Sequence, residues 1–146
     1  MAAAEKGHRQ VFDLLVTQGA DVSLVDGNRN NILHVACLGG HVNMVKYVPS
    51  QKVADINSRG QYGRTSLMLT VGAGHRQVFD LLVREGAAVS LVDDNRNNIL
   101  QLACLGGHED MVKHVHALNV EDIDDRNKHD NTGFDLLLAT QGNSHV

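Results

Sequence analysis

His34, Cys37 and His41 stand at a spacing that could bind a metal, since imidazole and thiolate are the donors that tetrahedral zinc prefers. A comparison within the chain argues against that use. The stretch from Gly7 to Asn57 matches the stretch from Gly74 to Asp124 at about 36 of 51 positions, and in the second copy Gln101 replaces His34 while Cys104 and His108 remain. A second group, His108, His114 and His116, places its last two imidazoles at i and i+2, on different faces of a helix. Nucleophilic catalysis would need a Ser or Cys with an oriented His, and acid–base work would need paired carboxylates in a pocket. Neither is recognisable. Asp93 with Asp94, and Asp122 with Asp124 and Asp125, read as solvated turn residues, and Gly72-Ala73-Gly74 closes a helix rather than cradling a phosphate. The expectation is a chain without catalytic residues, metal or cofactor.

The elements that carry these residues follow from a Gly-His pair that recurs as Gly7-His8, Gly40-His41, Gly74-His75 and Gly107-His108, at intervals of about 33, 34 and 33 residues. Within one period, Asn31 to Leu38 and Met44 to Val48 are short apolar segments divided by Gly39 and Gly40. Two short antiparallel helices are predicted, the first ended by glycine, where positive φ is readily accommodated, and the second opened by His41. Each has two or three turns and one apolar stripe, so its stability must come from stacking on neighbouring repeats. With no Trp, three Phe and two Tyr against 42% apolar residues, the core must be built from Leu, Val, Ile and Ala.

Bulk properties exclude several classes of function. A net charge of −4 gives no electrostatic footprint for nucleic acid. No apolar run approaches the roughly 20 residues needed to span a bilayer, and the segment Met1 to Lys6 has no signal-peptide hydrophobic stretch. Cys37 and Cys104 hold equivalent places two repeats apart, too distant for a disulfide, which fits a reducing compartment. These features predict a soluble, intracellular chain, cytoplasmic in the first instance.

The same residues resemble the ankyrin repeat, whose pattern is a hairpin turn, Thr-Pro-Leu-His, a helix, Gly-His, and a second helix ending in Gly-Ala-Asp-Val-Asn. Asn31-Ile32-Leu33-His34, Thr65-Ser66-Leu67-Met68 and Asn98-Ile99-Leu100-Gln101 stand in the Thr-Pro-Leu-His place, and Gly19-Ala20-Asp21-Val22 closes the first unit. The resemblance implies an all-α fold, an ankyrin-repeat solenoid of stacked antiparallel helix pairs with projecting hairpin turns. It also implies one domain over residues 1–146, divided as 1–25 (truncated), 26–59, 60–92, 93–126 and 127–146 (partial). His34 becomes a hydrogen-bonding framework residue and Cys37 a small core residue. The last unit, with Thr132-Gly133-Phe134-Asp135, stops after one helix and leaves Leu136-Leu137-Leu138 little chain to cover it. Both ends are expected to be cut from a longer array or adapted to close a short one, and end-to-end self-association follows from such apolar faces.

Three departures from the pattern stand out. The turn position that is glycine in the family is Gly63 in repeat three but Arg29, Arg96 and Asp130 elsewhere, which predicts either a rearranged turn or strain, and Arg29 and Arg96 read as drifted turn residues or as groups shown to a partner. Pro49 takes a leucine place in the second helix of repeat two, where a proline costs about 3 kcal/mol and the lost leucine about 2 to 5 more, less near a helix end. Repeats two and four also carry one extra residue before the terminal turn, in Lys52 to Asn57 and Asn119 to Asp124, a tolerated loop on the outer side.

By resemblance, the concave face of such an array binds other proteins through its hairpin tips and the inner-helix positions before Gly-His. Here the tips are Asn28, Asn30, Gln61, Tyr62, Arg64, Asn95, Asn97, Lys128 and His129, and the helix positions centre on Leu38 and Leu105, each beside a glycine. Tyr and Arg are enriched among interface hot spots, which singles out Tyr62 and Arg64. The expected function is non-catalytic binding of a protein or peptide. Two alternatives stand beside it: a structural spacer within a longer array, which the near-identical double repeat favours, and an engineered ankyrin-type binder, against which Arg29, Pro49 and His116 depart from an idealised framework.

Overall fold

A computed structural model describes residues 6–8, 10, 25–50 and 55–118. Within them, six helices are arranged as three pairs: α1 (Ile32–Leu38) with α2 (Val42–Ser50), α3 (Ser66–Ala73) with α4 (Arg76–Arg84), and α5 (Ile99–Gly106) with α6 (Glu109–His116). The described residues contain no strand. The sequence expectations that fall on residues 1–5 and 119–146, including Lys128, His129, the terminal partial repeat and the association of the ends, lie outside the described residues.

Each inner helix begins with the same device built from different residues. The side chain of Asn31 accepts from the His34 N–H while His34 Nδ1 accepts from the Asn31 N–H, both at 3.0 Å. In repeat four, Asn98 and Gln101 exchange the equivalent bonds at 2.8 Å, and in repeat three Thr65 and Met68 do so through a hydroxyl and a thioether. Such reciprocal caps satisfy two backbone donors that a helix start leaves open. At the other end, Gly40, Gly74 and Gly107 take φ of 71°, 77° and 72°, the left-handed conformation that closes a helix without a steric cost for glycine alone. Gly39 keeps an ordinary φ of −80°, so of the pair only Gly40 makes the left-handed turn.

The 33–34-residue period has a packing cause. A Cβ placed on Gly40 would lie 2.7 Å from the ring of His75, one on Gly74 would lie 2.6 Å from the ring of His108, and one on Gly7 would collide with the ring of His41. Each His thus seats its imidazole on the glycine one repeat earlier, and His75 Nε2 meets the Leu38 carbonyl at 3.0 Å. Glycine is required there twice, for its φ and for its missing side chain.

Inner helices pack on inner helices in the order α1, α3, α5, and α2 packs on α4. Their buried faces form one continuous core that includes Leu33, Ala36, Cys37, Leu67, Val71, Phe79, Leu82, Leu100, Ala103 and Val112. Cys37 and Cys104 are buried and not joined in a disulfide. The outer helices are joined across repeats three and four by His114, which meets Asp80 at 2.6 Å and sets its ring edge against Phe79.

The turns are not rearranged where glycine is missing. Arg29 and Arg96 hold φ of 66° and 65°, beside 68° at Gly63, so this turn position keeps its left-handed φ and two arginines carry its strain. Asp26 and Asp93 organise those turns, each carboxylate accepting from two backbone N–H groups further along the loop. Repeat three has Gly60 in the Asp place, since a Cβ there would collide with Asn30 Oδ1, and its tip adds a second left-handed residue, Tyr62 at φ 59°. Pro49 lies inside α2 as its penultimate residue.

Candidate functional site

The three inner helices leave a cleft of about 370 Å³ on the face that carries their exposed residues, lined by Leu38 from α1, Met68, Leu69, Gly72 and Ala73 from α3, and Leu102, Leu105 and Gly106 from α5, with Arg64 beside them. Leu38 and Leu105 are 43% and 54% exposed, large apolar side chains at the ends of helices whose other apolar residues are buried. The small residues decide the shape. A Cβ on Gly106 would run into the Gly72 carbonyl, so α5 approaches α3 closely at that point, whereas a Cβ on Gly72 would meet nothing.

Arg64 is held from two sides. Its Nε lies 3.2 Å from Asp93 Oδ2, a carboxylate with no solvent exposure of its side chain, and its guanidinium sits 5.3 Å from the centre of the Tyr62 ring. A partly desolvated ion pair and a cation–π contact restrict a side chain that is otherwise rich in rotamers. Tyr62 itself is 57% exposed. The tips are stitched to each other: Gln61 N donates to Asn30 Oδ1, Asp94 N donates to the Tyr62 carbonyl, and Arg59 Nη1 reaches both the Gly63 and Val92 carbonyls at 2.7 Å.

The structure thus brings Leu38, Arg64 and Leu105 together around one cleft, with Tyr62 against Arg64, and leaves Asn28 exposed and Gln61 and Asn95 half-buried at the tips. Two expected tip residues are corrected. Asn30 and Asn97 are only 4% and 3% exposed, because the first accepts from the next repeat's backbone and the second donates its amide to Asp93 at 3.3 Å. They hold the tips in place and are not available at the surface. Residue-by-residue reasoning missed Met68, Leu69 and Leu102, although they stand three or four residues before Gly72 and Leu105, one helical turn away on the same face.

Burial removes the alternative chemistry of the cysteine and histidine cluster. Both nitrogens of His34 are engaged, Nδ1 in the cap and Nε2 with the Ser58 carbonyl at 2.8 Å, and desolvation lowers its pKa from the usual 6.5. Burial pushes the Cys37 thiol up to about 12 and the Cys104 thiol up to about 11, so neither is a thiolate near neutral pH. The described residues contain no grouping of His, Cys, Asp and Glu that could hold a metal ion, and no helix among them is long and apolar enough to cross a membrane.

A profile described as ankyrin repeats in three copies matches residues 1–93. The chain belongs to the ankyrin-repeat family. Similar proteins include the nuclear factor NF-kappa-B p105 subunit of Rattus norvegicus, 33% identical over 68% of this chain and 11% of the relative. A probable palmitoyltransferase AKR2 of Saccharomyces uvarum is 32% identical over 78% of the chain and 16% of the relative, and an L-asparaginase of Dirofilaria immitis is 35% identical over 61% and 15%. The chain spans less than a fifth of the length of each of these three. Proteins with such different names share the repeat with this chain, and the likeness carries the ankyrin fold rather than an activity. Ankyrin repeats are in general protein–protein interaction modules.

Proposed function

We propose that this ankyrin domain binds a protein or peptide segment across its inner helices, without catalysis, through the cleft bounded by Leu38, Leu69 and Leu105 and through Tyr62 and Arg64 beside it. The observation that carries the reading is that exposed Leu38 and Leu105 and half-buried Leu69, one from each of three repeats, converge on one cleft next to an arginine already fixed by Asp93 and Tyr62. A surface set before the partner arrives loses little conformational freedom on docking, and its apolar floor releases water.

Peptides selected on the full chain from a displayed random library supply the probe. Exchanging Tyr62 and Leu105 together for alanine is expected to leave the circular dichroism spectrum unchanged and to weaken the selected peptides by at least about tenfold, or about 1.4 kcal/mol. Unchanged affinity would place the interface elsewhere. The near-identity of the two double repeats favours a second reading, a spacer within a longer array. Adding flanking repeats tests it: a spacer gains stability and still selects no peptide.

A further inference from the structure

We infer that the partner segment is an extended acidic peptide, with carboxylates held at the hairpin tips of repeats two and four and an apolar side chain between them in the cleft. This rests on the binding reading above and goes beyond it by naming the partner's chemistry. Arg29 and Arg96 are both exposed, both occupy the left-handed conformation that glycine holds in repeat three, and among the described residues neither side chain makes an ion pair or a side-chain hydrogen bond. Glycine, asparagine or aspartate would relieve that strain, so a chain of net charge −4 keeps two cations, without an ion pair among the described residues, where its backbone least favours them.

Arg64 stands between them in chain order and in the stack. It turns Nε toward Asp93, and its terminal nitrogens have no hydrogen-bond partner among the described residues. A guanidinium with that edge open receives a carboxylate in the manner that favours arginine over lysine. Asp94 is the one exposed carboxylate among the described tip residues, and it lies over Gly63, within the row. The bonds from Gln61 to Asn30 and from Asp94 to Tyr62 fix consecutive tips relative to one another. Helices pack about 10 Å apart, so the tips of repeats two and four lie about 20 Å apart. An extended peptide advances about 3.3 Å per residue and covers that distance in about six residues.

The test uses the whole chain and three short synthetic peptides with a central leucine, flanked by glutamates, by glutamines or by lysines, read by fluorescence anisotropy. The glutamate peptide is expected to bind at least about tenfold more tightly than its glutamine twin, the lysine peptide least, and the preference to vanish at about 1 M salt, where charges are screened beyond about 3 Å. Arg29→Gly with Arg96→Gly should abolish the preference while the thermal midpoint stays level or rises, because glycine suits the turn. Equal binding of the three peptides, no binding of the glutamate peptide, or a preference that survives the glycine variant would overturn the inference. A single-stranded oligonucleotide bound as tightly as the glutamate peptide and lost in the same variant would also overturn it, assigning the row to phosphate. The two readings fail separately. Should the Tyr62/Leu105 variant lose affinity for glutamate and glutamine peptides alike while the glycine variant changes nothing, the cleft reading stands and the acidic partner falls; if library-selected peptides are indifferent to both variants, the cleft reading falls too.

Discussion

His34 holds two bonds that a charged imidazole could not hold together. Its Nδ1 accepts the Asn31 N–H, so the ring proton sits on Nε2 and is donated to the Ser58 carbonyl. Protonation would put a second N–H against the Asn31 donor, and burial, the largest cause of its lowered pKa, disfavours the charge as well. The folded ring therefore binds a proton less readily than the unfolded one. Its contribution to stability is present above the unfolded value near 6.5 and is lost as pH falls through the lower folded value. Gln101 caps repeat four without a titrating group, so His34→Gln should preserve the cap and remove the pH-dependent part. Urea midpoints measured from about pH 7 to about pH 5 are expected to converge for the parent and this variant as pH falls. A constant gap between them would mean that the ring is not held neutral.

At the scale of elements, one glycine is constrained by its neighbour and another is not. Gly106 faces the Gly72 carbonyl, so Gly106→Ala must push α5 from α3 or bend one of them, at a cost of about 2 kcal/mol. Gly72 is also helical, but its missing side chain faces open space, and Gly72→Ala is expected to stabilise by about 0.5–1 kcal/mol through helix propensity. Denaturant titrations of the two variants should move in opposite directions. Pro49 is the weak point of α2, since it cannot donate the backbone bond expected of a residue in the last helical turn. Restoring leucine should add about 1 kcal/mol and raise the melting midpoint by about 3 °C. No change would show that nothing is gained from a donor so near the helix end.

For the stack as a whole, stability is a sum of each pair of helices and of the interfaces between successive pairs. Helix α3 packs on α1 on one side and on α5 on the other, with Leu67, Met68, Thr70 and Val71 all buried. It should be the last described helix to open. Amide exchange followed by mass spectrometry is expected to show the slowest exchange in Ser66–Ala73, faster in α2 and α6. Equal protection throughout would mean that the described repeats unfold as one cooperative block.

The sequence alone determined the period, the helix pairs, the glycine closures and the framework role of His34, because these obey short-range rules that a double copy makes easy to check. Comparing His34 with Gln101 argued against a metal site, and the apolar places at Leu38 and Leu105 pointed to the face that carries the cleft. Features shared by the copies have one origin, however, so their repetition does not measure their importance. What tertiary structure decided lies between repeats: the seating of His75 on Gly40, the burial of Asn30 under Gln61, the clamp of Asp93 on Arg64 and the closeness of Gly106 to Gly72. Each joins residues about a repeat length apart, where local propensity is silent. Only stacking chooses which side chains the next repeat covers and which it leaves to solvent.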